Sequence, residues 1–177
     1  MFRPLLGLTF GLAIAAPLAA ALAPGATAPG FTAPAALAGK SFRFSLADAL
    51  KKGPVVLYFY PKAFTSGCTI EAHEFAEATP EFAKLGATVI GMSGDDIETL
   101  KRFSVEECRN KFAVASATPD LIQRYGVAIA GRPGMSDRTS FVIAPDGRII
   151  FALTDPQPLG HIKGTMAAVK AWKARRS

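Results

Sequence analysis

The chain reads as an α/β protein with one mixed central sheet and helices on both faces. Three observations predict this. Residues 55–60 (VVLYFY) form an unbroken β-branched and aromatic run, the pattern of a strand buried on both faces. Directly after it, Cys68, Ala72, Phe75, Thr79 and Phe82 recur at the spacing of one helix face. Further strand-like and helix-like segments then alternate down to a closing hairpin and helix.

Taken in order, residues 24–34 are rich in alanine, proline and glycine and are expected to be extended and irregular. Residues 41–44 (SFRF) alternate and suit a short strand, and Ser45 can cap a brief helix over 46–50. After the 55–60 strand a helix is expected over about 66–84, then a strand over 88–92. Asp95 or Asp96 caps a helix expected to run to about Asn110. A short strand over 112–116 follows, then a helix over 119–125 opened by Pro119 and closed by Gly126. Strands over 138–143 and 148–153 flank Pro145-Asp146-Gly147, a hairpin signal, and the last helix covers about 161–175. No internal repeat or second-domain boundary is visible.

The chain has 177 residues, 50% hydrophobic and 19% charged, enough to bury a core without disulfides or metals. Two cysteines are too few for a disulfide scaffold or an all-cysteine metal site. The formal charge is +6, but Lys163, Lys170, Lys173, Arg175 and Arg176 all follow the last acidic residue, Asp155. Cations there match the carbonyl end of a helix dipole. The aromatic residues fall at core spacings rather than among the basic ones, which argues against a nucleic-acid face.

Residues 1–23 have the layout of a secretory signal peptide: Arg3, an apolar run from Leu5 to about Leu18, then small residues. Cleavage is expected at about 21–23, after Ala19-Ala20-Ala21 or Ala21-Leu22-Ala23, leaving one domain over 24–177. The expected destination is the periplasm or another extracytoplasmic space, without stable membrane insertion. An uncleaved anchor is disfavoured by the short apolar stretch and Pro17.

The informative join is between the buried strand and the long helix. Cys68 falls in that helix's first turn, where free N–H groups and the dipole favour an anion. A thiol so placed should ionise more readily than free cysteine, and the thiolate is the nucleophile. Its stripe faces the sheet, in the crevice beyond the carboxyl end of a strand where α/β proteins bind ligands. The hydroxyl of Thr65 can meet something bound beside the sulfur, Pro61 can shield the pocket, and Gly67 permits close backbone approach. The alternative is a small buried hydrophobe, as many free cysteines are.

Pro61-x-x-x-Thr65-x-x-Cys68, directly after the VVLYFY strand, resembles the active-site signature of the peroxiredoxins, members of the alkyl hydroperoxide reductase/thiol-specific antioxidant family. Residues 60–72 (YPKAFTSGCTIEA) resemble its Q-type, or bacterioferritin-comigratory, branch. Residues 28–32 (APGFT) resemble the family's opening segment, and residues 138–143 (RTSFVI) with Asp146-Gly147 its late strand. The resemblance implies a thioredoxin-like fold and a thiol peroxidase of hydrogen peroxide and small organic hydroperoxides. It implies that Cys68 is the peroxidatic cysteine, that Thr65 holds the peroxide, that Arg138 stabilises the thiolate and developing charge, and that Pro61 shields the pocket. It further implies a monomer without cofactor or metal, recycled by a thioredoxin-like thiol donor.

Many Q-type members carry a resolving cysteine five residues after the first, where this chain has His73. A second arrangement in the branch places it on the next helix, and Cys108 resembles that residue; a Cys68–Cys108 disulfide is the resulting expectation. Thiols on different helices are expected to exceed disulfide reach, about 7 Å between Cα atoms, so local opening would be needed. A packed, inert Cys108 and a one-cysteine cycle with an external thiol stand as the alternative. His73 and His161 are expected to carry no chemistry. Cys68-Thr69-Ile70-Glu71 lacks the second thiol of C-x-x-C, which excludes dithiol exchange there. A non-enzymatic metal-binding protein is disfavoured because Cys68, His73 and Cys108 are poorly spaced as ligands.

Overall fold

The computed structural model describes residues 20–176. Its strands are β1 (Thr32–Leu37), β2 (Lys40–Ser45), β3 (Val55–Phe59), β4 (Thr88–Ser93), β5 (Ala113–Ser116), β6 (Thr139–Ile143) and β7 (Ile149–Thr154). Its helices are α1 (Leu46–Leu50), α2 (Ser66–Lys84), α3 (Ile97–Glu106), α4 (Pro119–Arg124) and α5 (Leu159–Ala174). The strands form one sheet in the order β2-β1-β5-β4-β3-β6-β7.

The central strand explains its own sequence. Val55, Leu57 and Phe59 enter one apolar layer with α1 and α4, while Val56 and Tyr58 enter the opposite layer with α2, α3 and α5. Both faces are covered, so no position in β3 needs to be polar. Here β3 runs parallel to β4 but antiparallel to β6, with Phe59 opposite both Met92 and Thr139. The carboxyl ends of β3 and β4 and the start of β6 therefore share one edge. Cys68 and Arg138, distant in the chain, approach each other at that edge.

Helix starts follow the expected chemistry. The side chains of Ser45, Asp96 and Thr118 accept from the backbone N–H of Asp48, Thr99 and Leu121. Asp95 does not cap α3. Its Oδ2 accepts from Ala63 N at 2.8 Å and ties the loop before α2 to the end of β4.

Three expectations are corrected. Residues 32–37 form β1, where an irregular segment was expected to reach Pro34. Alanine and proline carry little strand propensity, and β1 is held instead by ladders to β2 and β5. Its hairpin turn also lacks the usual signal: Ala38 and Gly39 both take positive φ, 50° and 76°, with alanine where asparagine or glycine is usual. The second correction concerns α3, which ends at Glu106 rather than near Asn110, because Arg109 and Asn110 turn left-handed at φ 51° and 59°. Third, β6 begins at Thr139, leaving Arg138 just outside the ladder.

Of the expected signal segment, residues 1–19 lie outside the described residues. Leu22 N–H donates to Tyr125 O at 3.2 Å, and Ala21 and Leu22 pack against the α4 side of the core. Among the described residues, no helix is long and apolar enough to cross a membrane.

Candidate active site

Cys68 sits in the first turn of α2 with 2% of its surface exposed. Arg138 reaches it from the start of β6, with Nη2 3.5 Å from Sγ. The guanidinium is held on each of its nitrogens. Nε donates to Pro156 O at 3.1 Å and Nη1 donates to Glu71 Oε2. A fork with three fixed contacts aims its charge as a flexible ammonium could not. Burial works against the Arg138 cation, but Glu71 and Cys68 more than offset it and raise its pKa.

Gly67 is part of this fit. A Cβ there would lie 3.0 Å from Arg138 Nη2, so the missing side chain lets the guanidinium rest against the helix start. The sulfur thus has a cation beside it and belongs to the first turn of α2, where the helix dipole favours an anion.

Glu71 was not singled out from the sequence as a site residue, yet it is fully buried against Arg138. It stands three residues after Cys68, beside Ala72 on the same buried stripe. A glutamate on such a stripe was the available signal. Burial pushes its pKa up to about 8, against the opposing pull of Arg138. Its Oε1 has no hydrogen-bond partner and lies 4.0 Å from His161 Nδ1.

His161, expected to be uninvolved, is fully buried behind Glu71 and Arg138. Its Nε2 faces Asp155 O at 2.9 Å and must donate there, so Nδ1 accepts from Ser140 Oγ at 2.8 Å. Burial lowers its pKa and favours this neutral form. Asp155 N–H donates back to Arg138 O at 3.2 Å. His161 therefore holds the turn whose next residue, Pro156, accepts from Arg138 Nε.

The remaining expected residues divide. Pro61 is half-buried at the mouth of the loop. Thr65 is exposed at the N-cap of α2, and its hydroxyl donates to Lys62 O at 3.0 Å rather than to the sulfur. Between them Phe64 holds φ at 63°, with its ring edge-on to Phe103 at 5.2 Å and Arg102 above it at 5.4 Å. Cys108 lies just past α3, fully buried, and both thiols are free. Burial, then the neighbouring Glu107 charge, pushes the Cys108 pKa well above the ordinary thiol value. The two cysteines share one apolar layer, where the buried phenols of Tyr58 and Tyr60 are within electrostatic reach of both. His73 is not simply an exposed histidine: its Nε2 pairs with Glu107 Oε2 at 2.6 Å. Among the described residues, no group of three or more His, Cys, Asp or Glu could hold a metal ion.

Comparison with known proteins gives the family of the chain. The model of the AhpC/TSA family matches residues 24–152. Peroxiredoxin Bcp of Xanthomonas campestris pv. campestris is 31% identical over 127 residues, covering 66% of this chain and 76% of the relative. Peroxiredoxin Bcp of Escherichia coli K12 is 34% identical over 113 residues, 60% of this chain and 72% of the relative. The crystal structure of peroxidoxin BcpB from Mycobacterium tuberculosis superposes with a TM-score of 0.75 at 30% identity, covering 84% of this chain and 96% of that one. Peroxiredoxin Q of Xanthomonas campestris gives 0.67 at 30% identity, covering 79% and 90%. The chain belongs to the AhpC/TSA family, among its peroxiredoxins of the Bcp or Q type, and it has their thioredoxin-like fold.

Proposed function

We propose that this peroxiredoxin reduces hydrogen peroxide and small organic hydroperoxides at Cys68, resolves the product with Cys108, and is recycled by a thioredoxin-like donor. The observation that carries this reading is the Arg138 guanidinium, fixed on three nitrogens, with Nη2 3.5 Å from a sulfur at a helix N-terminus. Donors fixed before reaction stabilise charge as it develops, without reorganisation.

The Cys68 thiolate attacks one peroxide oxygen. An S–O bond forms, the O–O bond breaks, and the departing oxygen takes a proton to leave as water or alcohol. Arg138 and the first-turn N–H groups face the charge spread over sulfur and oxygen. Thr65, at the loop mouth, turns its hydroxyl from Lys62 O to the bound peroxide, and Pro61 keeps water out. Cys68 is left as sulfenic acid. The Cys108 sulfur then attacks it, an S–S bond forms, and water leaves with the sulfenic oxygen. A dithiol donor returns both cysteines to thiols by exchange and is itself oxidised.

A one-cysteine cycle is the second reading, favoured by the sealed position and raised pKa of Cys108. Peroxide consumption coupled to a thioredoxin-like donor separates the two. Cys68→Ser should abolish turnover, and Cys108→Ser should abolish turnover with the dithiol donor while sparing the first oxidation. Full steady-state turnover by Cys108→Ser would select the one-cysteine cycle.

The chain is further proposed to act outside the cytosol as a monomer, with residues 1–21 removed. The signal-like layout supports export, and the contacts of Leu22 favour the cut after Ala21 over the cut after Ala23. The N-terminal sequence of the secreted protein tests this.

A further inference from the structure

The segment that carries Cys108 is fastened to α2 on both sides of the thiol. One residue before it, Glu107 Oε2 pairs with His73 Nε2 at 2.6 Å. One residue after it, Arg109 Nη1 donates to Glu77 Oε1 at 2.5 Å. His73 and Glu77 are four residues apart on α2 and so form neighbouring posts on one helix face. The segment they hold is strained: Arg109 and Asn110 are consecutive non-glycine residues at φ 51° and 59°. It is also sealed, since Cys108 is fully buried.

The pairs are suited to reversible closure. The side chains of Glu77 and Arg109 are 72% and 45% exposed, and those of His73 and Glu107 are 34% and 19% exposed. Side-chain contacts at such exposure hold weakly and reform readily. Where many Q-type chains have a second thiol on α2, this one has a post that grips the segment bearing its other cysteine.

Resting on the reading that Cys108 resolves the sulfenic acid, we propose that His73 and Glu77 are positioning residues forming a two-point clamp that sets the rate of disulfide formation. With the clamp closed, Cys108 stays under α2 and the assembled site reacts with peroxide. Release of the His73–Glu107 and Glu77–Arg109 pairs lets the strained turn relax and brings the thiol out to the sulfenic sulfur. The clamp takes no part in the bond changes. It governs how long the sulfenic acid persists, and so how far a second peroxide can drive it to sulfinic acid.

The test is rapid mixing of the reduced mature protein with one equivalent of hydrogen peroxide, followed by timed alkylation and peptide mass mapping. Glu77→Ala and His73→Ala should leave the rate of Cys68 oxidation unchanged. Each should speed Cys68–Cys108 disulfide formation by about two- to fivefold, the range open to exposed pairs. Sulfinic acid formed at excess peroxide should fall in step, and exchanging the charges in Glu77→Arg with Arg109→Glu should return the rate toward that of the parent. A disulfide that forms at the parent rate or slower in both single variants overturns the clamp alone. Absence of the Cys68–Cys108 disulfide from the parent itself overturns the resolving role and the clamp together.

Discussion

Arg138 Nη2 lies 3.5 Å from Cys68 Sγ across 70 residues of sequence, because β6 runs antiparallel beside β3 and begins where β3 ends. Arg138→Ala removes a fixed donor from the reacting sulfur and leaves Glu71 buried without its cation. Loss of one such donor costs on the order of 3 kcal/mol, so the rate constant for peroxide should fall about 100-fold or more. Arg138→Lys should fall between, since an ammonium keeps the charge but cannot reach Pro156 O, Glu71 and the sulfur together. Stopped-flow peroxide kinetics decide this, with circular dichroism as the check on folding. An alanine variant within twofold of the parent would remove Arg138 from the reaction.

Glu71 makes the stability of the fold depend on pH in a direction set by its environment. Its folded pKa of about 8 lies above the ordinary 4.5, with burial as the main cause. Between those values the folded state binds more protons than the unfolded one, so this group's contribution to stability falls as pH rises. Glu71→Gln keeps an acceptor for Arg138 and cannot ionise. Denaturant midpoints measured from pH 5 to 9 should decline less in this variant, which should exceed the parent by more than about 1 kcal/mol at pH 9. Parallel pH curves would show that Glu71 does not titrate in this window.

The join between β3 and α2, and the place of Cys68 in the first turn of α2, were legible because a continuous apolar strand running into an amphipathic helix leaves little freedom in the turn between them. Glu71 and His161 were not. Glu71 borders the buried stripe, a signal that its neighbours Glu74 and Glu77 mask by making it read as part of a solvated face until Arg138 arrives from β6 to pair with it. His161 lies near a helix start, an ordinary surface position, until β6 brings Ser140 against it. Likewise β1 and the end of α3 depend on Ala38 and Arg109 taking positive φ, which tertiary contacts impose on residues whose own preferences point elsewhere.

His161 should matter to the reaction without touching the sulfur. Its removal frees Asp155 O and the turn that accepts from Arg138 Nε. His161→Ala is expected to lower the peroxide rate constant about tenfold. Truncating a buried, hydrogen-bonded side chain should also cost on the order of 2–4 kcal/mol of stability. Burial depresses the His161 pKa, so its contribution to stability is present above the ordinary 6.5 and is lost as pH falls below it. The variant should accordingly be less sensitive to acid between pH 6.5 and 5, as read from thermal midpoints.

The buried Cys108 should be chemically silent while the protein is reduced and folded. Its thiol is shut from solvent, and burial with the Glu107 charge keeps it protonated. In Cys68→Ser at pH 8, iodoacetamide should label Cys108 at least about 100-fold more slowly than in the denatured chain, because alkylation must await local opening. Labelling at the denatured rate would place Cys108 at the surface and remove the need for any opening step.

Phe64 allows backbone strain to be separated from side-chain packing. Its φ of 63° is unfavourable for any residue with a Cβ, yet its ring is held edge-on by Phe103 and covered by Arg102. Phe64→Ala loses the ring and keeps the strain, whereas Phe64→Gly loses both. Left-handed geometry costs roughly 1–2 kcal/mol in a non-glycine residue, so the glycine variant should be the more stable of the two by about that amount. At ordinary negative φ the order is reversed, because glycine adds entropy to the unfolded chain. Chemical denaturation of the two variants side by side reads the sign. Alanine above glycine would mean that the loop relaxes out of the left-handed region once the ring is gone, and that Phe64 is held there by its packing on α3 alone.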